Sequence, residues 1–407
     1  MGDTTVTKPS TDVLVVGAGP VGLLTALGLA QAGLNVTVLE RDSAIGDSPR
    51  AMTYLWFVLD GLAELGVLPD MEREGVRSLD GLTLRVLRTG EVIEWGKVSL
   101  EETTGRPYNN IHLGQDRLGE ITLRHLEKQP GVSVHWNTAV TGLAQNDDGV
   151  RVTADGPDGP IEYTASWVVG TDGASSTVRK SLGLGFDGIT WPERFVATNV
   201  RYPFDAYGFN DANMVVDPRY GAVVAKIDDE GLWRVTYAED ADLPAEQVLE
   251  RMTAWFDAFL PGSKDFELVH HSPYRLHQRS AERYRVGRVL LAGDAAHATN
   301  PTGGLGLTCG LLDLYVLYPA LAAVVRGEAP ADVLDRYAED RRQKFLDIAS
   351  PMASQFKRLV YHSTDPAKLD SDLAGPRSVA GDPEKVRAAQ LGMAQLRSPQ
   401  LVPVEAS

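Results

Sequence analysis

One cysteine, Cys309, is all that a chain of 407 residues carries, which excludes an intramolecular disulfide and agrees with a reducing compartment. Positive charge is also short. Against 55 acidic residues stand 39 lysines and arginines, a formal net charge of −16 that disfavours nonspecific attraction to nucleic acid or an anionic membrane. Met1–Thr11 is polar, with no apolar run before Val13, so a signal-peptide core is missing, and no stretch reads as long and apolar enough to cross a bilayer. Metal-ligand spacing is missing too: His270-His271 has no third ligand at a diagnostic distance and reads as a surface pair. Repeats and low-complexity tracts are absent. These absences predict a cytoplasmic protein without a metal, a nucleic-acid partner or a membrane partner, as a monomer or homodimer, with enough chain for two joined domains or one large one.

What the chain has is glycine in three places. Gly17-Ala-Gly-Pro-Val-Gly22 follows a β-branched run, Asp12–Val16, and precedes a small-residue helix from Leu23 to Ala32. A second apolar strand, Val36–Leu39, then ends at Glu40. The spacing predicts a βαβ unit in which Gly17 allows the bend, Gly19 lets the backbone approach a pyrophosphate and Gly22 permits close helix–strand packing. Glu40 stands where a carboxylate accepts from ribose hydroxyls and repels a 2′-phosphate, so the adenosine half belongs to FAD or NAD rather than NADP. The second stretch is Gly170-Thr-Asp-Gly173. The third, Gly287-Arg-Val-Leu-Leu-Ala-Gly-Asp294, delivers Gly293-Asp294 from a strand to a turn, and Pro301-Thr-Gly-Gly-Leu-Gly306 then opens a long helix. Asp294 there either caps a helix or accepts from ribityl or ribose hydroxyls. The free N–H groups at the start of the long helix suit negative charge on a reduced flavin ring.

Between these stretches the text alternates. Ala51–Leu65 reads as helix, Leu82–Leu87 and Val92–Trp95 as a hairpin around Arg88-Thr-Gly90, and Gln115–Leu126 as helix. Short strands are expected at 132–136, 150–153 and 167–169, then at 195–200, 214–216, 222–227 and 232–237. Pro244–Phe259 reads as a helix with proline in its first turn, and helices at about 304–326 and 331–357 close the fold. Beyond Ser363 the polar, proline-punctuated tail gives little structural signal. The expected fold class is α/β: a Rossmann-type FAD-binding domain, an inserted mostly antiparallel β-sheet substrate domain, and C-terminal helices. The expected boundaries are 1–75, 110–185 and 280–345 for the first, 76–109 and 186–279 for the second, and 346–407 for the C-terminal helical region and tail.

With all three stretches in this order, the chain resembles the single-component FAD-dependent aromatic hydroxylases of the para-hydroxybenzoate hydroxylase and phenol hydroxylase type, from about Asp12 to Tyr337. The resemblance implies FAD contacts at Gly17, Gly19, Pro20, Val21, Gly22, Glu40 and Arg41. It adds Arg50, in Ser48-Pro-Arg-Ala51, and Gln115, and gives Asp172 and Gly173 a share in FAD and nicotinamide binding. Gly293 and Asp294 match the flavin's sugar-like chain, and Pro301, Gly303, Gly304, Leu305 and Gly306 the loop beside its ring. The chain departs from the family pattern at Thr308 and Val316, where asparagines are common. The resemblance implies NADPH or NADH and O2 as co-substrates, a 4a-hydroperoxyflavin, and a small aromatic substrate, phenolic or polyketide-like, to be hydroxylated; the alternatives are a flavoprotein of the same fold doing epoxidation, dehydrogenation or antibiotic inactivation, and a non-enzymatic FAD-binding protein. A Trp-x-Trp-x-Ile-Pro segment of the related halogenases is missing. Tyr202, Arg234 and Tyr237, in or beside the inserted strands, are the candidates for orienting or deprotonating the substrate. His297 resembles a structural histidine near the flavin turn, and Cys309 a small packed residue.

Overall fold

The computed structural model describes residues 6–7, 10–47, 50–79 and 81–403, so most of Met1–Thr11 and the Ser48-Pro49 that precede Arg50 lie outside the described residues. The apolar run becomes strand β1 (Thr11–Val16), followed by α1 (Pro20–Gln31) and β2 (Val36–Leu39). Helix α1 is buried from Gly22 to Ala30, which its run of Gly, Ala and Leu permits. The hairpin is β3 (Thr83–Val86) and β4 (Glu91–Glu94), with Gly90 at φ 72° in the turn. Then come α2 (Gln115–Leu126), β5 (Val132–His135), β6 (Ala139–Gln145), β7 (Val150–Gly156) and β8 (Gly159–Gly170). The inserted strands are β9 (Phe186–Arg201), β10 (Ala212–Val216), β11 (Ala222–Lys226) and β12 (Leu232–Asp240), then helix α3 (Val248–Phe259) and β13 (Glu267–Ala281). Strand β14 (Val289–Leu291) returns the chain, and helices α4 (Leu305–Val325), α5 (Val333–Lys344), α6 (Ser350–Tyr361), α7 (Pro366–Val379) and α8 (Pro383–Gly392) follow.

A nine-stranded sheet runs β6-β7-β8-β1-β2-β5, with β14 on β8. Its centre is parallel, and the registers Gly170↔Val16 and Gly170↔Leu291 end β8, β1 and β14 at one level. All three glycine stretches leave the sheet there, at the carboxyl ends where open α/β sheets bind ligands. The second sheet has eight strands, from His297–Ala298 through β13-β9-β12-β11-β10-β3-β4, antiparallel except for β10 with β3. One of its faces packs Trp233, Val235 and Tyr237 against Met252 and Phe256 of α3. The other packs Phe195, Met214 and Leu276 with Leu359 and Leu373 of α6 and α7.

Several expectations need correcting. Thr53–Tyr54 is extended, paired with Ile111–His112, and helix begins only at Leu59. A 3-10 turn at Ala245–Gln247 separates Pro244 from α3. Strand β13 was not foreseen, because its residues alternate exposed and sheltered around charged side chains and Pro273. A π-helical turn at Phe345–Ala349 joins α5 to α6, and the tail folds into α7 and α8. Finally, α4 is long and apolar enough by composition to cross a membrane, but 78% of that stretch is buried in the protein, as a core helix should be.

Candidate active site

A cavity of about 690 Å³ lies between the carboxyl ends of β1, β8 and β14 and the inner face of the antiparallel sheet. Gly19, Pro20, Val21, Arg41, Arg50 and Gln115 line it, together with Asp172, Gly173, Gly293, Asp294, Pro301, Gly303, Gly304 and Gly306.

The first turn is built around absent side chains. Gly17 has φ 104°, and a Cβ there would stand 2.7 Å from the Thr171 carbonyl oxygen. At Gly22 a Cβ would reach 2.0 Å from the Gly17 oxygen and 2.6 Å from Thr171 Oγ1. At Gly19 it would meet nothing within 4 Å, since that position faces the open cavity. Gly17 and Gly22 therefore shape the turn from behind, and Gly19–Val21 presents it. Glu40 is not among the lining residues: Oε2 accepts from Ala18 N at 2.7 Å and Oε1 from Asp42 N at 2.9 Å, which ties the carboxylate to the turn.

Asp172 spends its carboxylate similarly, accepting from Ser176 Oγ, from Thr177 N at 2.6 Å and from Val178 N at 3.1 Å, so it caps the short helix Thr177–Ser181. Next to it Arg179, 3% exposed, donates to the carbonyls of Ala174 (2.7 Å) and Ala295 (2.8 Å), clamping the second stretch to the third.

Asp294 caps no helix and has no side-chain hydrogen bond among the described residues. Its carboxyl opens into the cavity, yet the surrounding protein still desolvates it and pushes it above the ordinary carboxylate range, against His297, Arg50 and His277. His297 is fully buried and is not part of the lining. Its Nε2 lies 2.6 Å from Asp313 Oδ2, which also accepts from Gly293 N at 3.0 Å, while Oδ1 accepts from Arg341 Nε at 3.0 Å. Burial opposes ionisation of Asp313, but His297, Arg341 and the Gly293 N–H together hold it below the usual range. The Gly293–His297 loop is thus seated on a buried ionic node that sequence reading missed, because Arg341 is 28 residues from Asp313. Leu305 is fully buried in the core rather than in the lining.

Of the three substrate candidates only Arg234 reaches the cavity. Side chains alternate along β12, so Arg234 and Thr236 face the cavity while Trp233, Val235 and Tyr237 face α3. Tyr237 stacks on Trp255 at 4.3 Å, and Tyr202, beyond the end of β9, stacks on Tyr207 at 5.7 Å; neither lines the cavity. Arg234 is 6% exposed; burial brings its guanidinium down to about 10, with Tyr274 and Asp116 opposing. Tyr274, on the unforeseen β13, lies in the lining with Arg50 over its ring at 5.0 Å, and burial pushes its phenol up to about 12. Phe195, Met214, Val223 and Phe356 supply apolar wall, as do Ala389 and Met393 from the tail.

These residues fit a dinucleotide bearing a flavin. Gly19, Gly173 and Gly304 leave open space where a Cβ would sit, the N-termini of α1 and α4 lack side-chain caps, and the Asp294 carboxylate awaits donors. The family model "FAD binding domain" matches residues 10–349. The chain is 44% identical over 378 residues to 6-hydroxy-3-succinoylpyridine 3-monooxygenase HspB of Pseudomonas putida, covering 93% of this chain and 96% of that one. It is 42% identical over 396 residues to para-nitrophenol 4-monooxygenase of a Pseudomonas species, covering 96% and 97%. The crystal structure of p-nitrophenol 4-monooxygenase PnpA from Pseudomonas putida superposes with a TM-score of 0.91 at 42% identity, over 97% of this chain and 100% of that one. A cavity made to hold FAD against a sheltered chamber, in a chain alike to these enzymes along nearly its whole length, belongs to a member of the FAD-dependent aromatic monooxygenase family.

Proposed function

We propose that this monooxygenase acts on a single aromatic ring that carries a hydroxyl group, bound as its anion, and places oxygen on the ring carbon para to that hydroxyl, displacing the substituent there. The names of two relatives support the position. The 4-carbon of para-nitrophenol and the 3-carbon of 6-hydroxy-3-succinoylpyridine both lie para to a hydroxyl and both already carry a group. The observation that carries the reading is Arg234. Its Nε donates to Asn199 Oδ1 at 2.7 Å and one NH to the Arg50 carbonyl, and no carboxylate pairs with it among the described residues. A buried cation without a counter-ion is costly unless a ligand supplies the charge, which a phenolate or hydroxypyridine anion does.

When bound, FAD supplies the two-electron chemistry linking NAD(P)H oxidation to oxygen activation. Gly19, Pro20 and Val21 would cradle its pyrophosphate at the α1 N-terminus, on a turn that Gly17 and Gly22 shape from behind, with Arg41, Arg50 and Gln115 along the same wall. Asp294 would accept from its hydroxyls, and the N–H groups of Leu305 and Gly306 in the first turn of α4 would hold negative charge at the ring. Glu40 and Asp172 serve the site by fixing its loops. Arg234 and Tyr274 would hold the ring oxygen as an anion, which enriches the para carbon in electrons, while Phe195, Met214 and Phe356 exclude water. In this reading, segments 1–75, 110–185 and 280–345 carry FAD and segments 76–109 and 186–279 the substrate. The enzyme works in the cytoplasm as a monomer or homodimer, supported by the charge of −16 and the lone cysteine.

The test supplies the purified yellow protein with NAD(P)H, O2 and para-substituted phenols, para-nitrophenol among them. Stimulated NAD(P)H oxidation with stoichiometric nitrite and a product in which oxygen replaces the substituent is expected. A product one oxygen heavier that keeps the substituent refutes the position, and no stimulation by any phenol refutes the substrate class.

A further inference from the structure

The C-terminal 40 or so residues, which sequence reading left as tail, run across both sheets. They start on the antiparallel one: Leu369 and Leu373 of α7 pack with Leu84 and Ile93 of the hairpin, and Arg377 pairs with Glu91 at 2.7 Å. They end on the FAD-binding side: Leu396 is fully buried, and its carbonyl accepts from Arg341 Nη1 at 2.8 Å. Arg397 Nε donates to the Phe57 carbonyl at 2.8 Å, and Gln400 Nε2 to the Tyr315 carbonyl at 3.1 Å. Between these two moorings lies α8, and at its end Ala389, Gln390 and Met393 face the cavity.

Gln390 is fixed at two atoms. Its side-chain Oε1 accepts from Asn109 Nδ2 at 3.1 Å, and its carbonyl accepts from Trp56 Nε1 at 3.1 Å. Asn109 is 1% exposed and is pinned in turn, its Nδ2 donating also to the Val98 carbonyl at 2.5 Å and its Oδ1 accepting from Leu100 N at 3.2 Å. Trp56, Asn109, Leu82 and Trp95 complete the same corner of the lining. Much of the remaining wall is sheet strand or glycine loop, with Phe356 of α6 and Gln115 of α2 as helical contributions. At this corner a late segment closes the cavity against earlier residues and is held to them by a few hydrogen bonds.

We infer that the C-terminal segment 383–398 is the size-selecting wall of the substrate chamber, with Gln390 and Met393 as its specificity-determining residues. The inference rests on the single-ring reading above. Gln390 holds the wall through Asn109, and Met393 lines the cavity one helical turn further on. The same Arg341 that anchors Leu396 also closes the ionic node under the Gly293–His297 loop, so the wall and the flavin-side loop share one seat.

The test compares kcat/KM for para-nitrophenol with kcat/KM for its bicyclic counterpart 4-nitro-1-naphthol, in the FAD-loaded full-length enzyme and in the Gln390→Ala and Met393→Ala variants. Each truncation should shift the ratio about tenfold toward the bicyclic ring, the scale of one or two methylenes in an apolar pocket. The ratio is read at matched FAD occupancy, with the thermal midpoint reporting whether each variant is folded. Gln390→Glu keeps an acceptor for Asn109 and should keep the wild-type ratio. Ala389→Leu narrows the corner and should move the ratio the opposite way, which keeps the inference testable if either truncation misfolds. Ratios within twofold of wild type across the folded variants overturn it. Failure of the wild type to oxidise any single-ring phenol would instead overturn the substrate class, a separate and distinguishable result.

Discussion

Replacing Asp313 by asparagine changes one atom's chemistry and almost none of its volume, yet it strikes the node beneath the flavin-side loop. Three donors converge on that carboxylate: His297 Nε2 at 2.6 Å, Gly293 N at 3.0 Å and Arg341 Nε at 3.0 Å. An amide offers one acceptor oxygen and one NH2, so at least one donor meets another donor, and Arg341, 1% exposed, loses its counter-charge. Removing one partner of a buried pair costs about 3–5 kcal/mol, a large part of a typical net stability of about 5–15 kcal/mol. Pairing Asp313→Leu with Arg341→Met removes both charges, and an apolar replacement of a buried pair is often neutral. The double variant should therefore be at least about 2 kcal/mol more stable than the sum of the single losses predicts. Urea unfolding followed by tryptophan fluorescence, at fixed excess FAD so that cofactor linkage is constant, measures all of these variants. The sign with pH follows. The carboxyl is held below its usual range in the folded protein, so its contribution is present above the unfolded value of about 3.9 and disappears as pH falls through the folded one. The Asp313→Asn midpoint should thus change less than wild type's below about pH 4. Additive single losses, within about 0.5 kcal/mol, would refute the node.

Two further outcomes are expected. Gly22→Ala should abolish FAD retention because its Cβ would fall 2.0 Å from the Gly17 oxygen, whereas Gly19→Ala should fold normally and weaken FAD binding alone; flavin content and circular dichroism of the two variants separate these effects, and equal behaviour contradicts the assignment. Arg234→Met should lower kcat/KM for a phenol about ten- to a hundredfold, from the loss of a charged hydrogen bond worth about 1.5–3 kcal/mol, while Tyr237→Phe, whose hydroxyl has no hydrogen-bond partner among the described residues, should match wild type in steady-state assays.

The βαβ unit was legible because its signals are local: a β-branched run, three glycines and a second strand within 30 or so residues prescribe the turn on their own. Strand β13 was not, because only one of its edges of side chains meets apolar surface and the other carries Arg275, His277 and Arg279. The choice among Tyr202, Arg234 and Tyr237 needed the parity of β12 relative to the cavity, which depends on where α3 packs, and no period-2 pattern says which face is which. Glu40 and Asp172 were legible as acids beside the glycine turns, but whether they touch a ligand or a loop depends on which backbone N–H groups the fold brings to them. The role of the tail was hidden for the opposite reason. Gln390 and Met393 acquire meaning only from Asn109 and Trp56, which are hundreds of positions earlier.

Neither large sheet is one continuous run of chain. Strands β3 and β4 leave the sequence of the first sheet between β2 and β5, and β9 to β13 leave it between β8 and β14. Cutting the protein between 109 and 110 or between 185 and 186 therefore yields no fragment holding either sheet whole, and each sheet's loop-closure entropy is charged to the other. The two halves should melt as a single cooperative unit, and a ligand that grips only the glycine loops stabilises the distant antiparallel sheet as well.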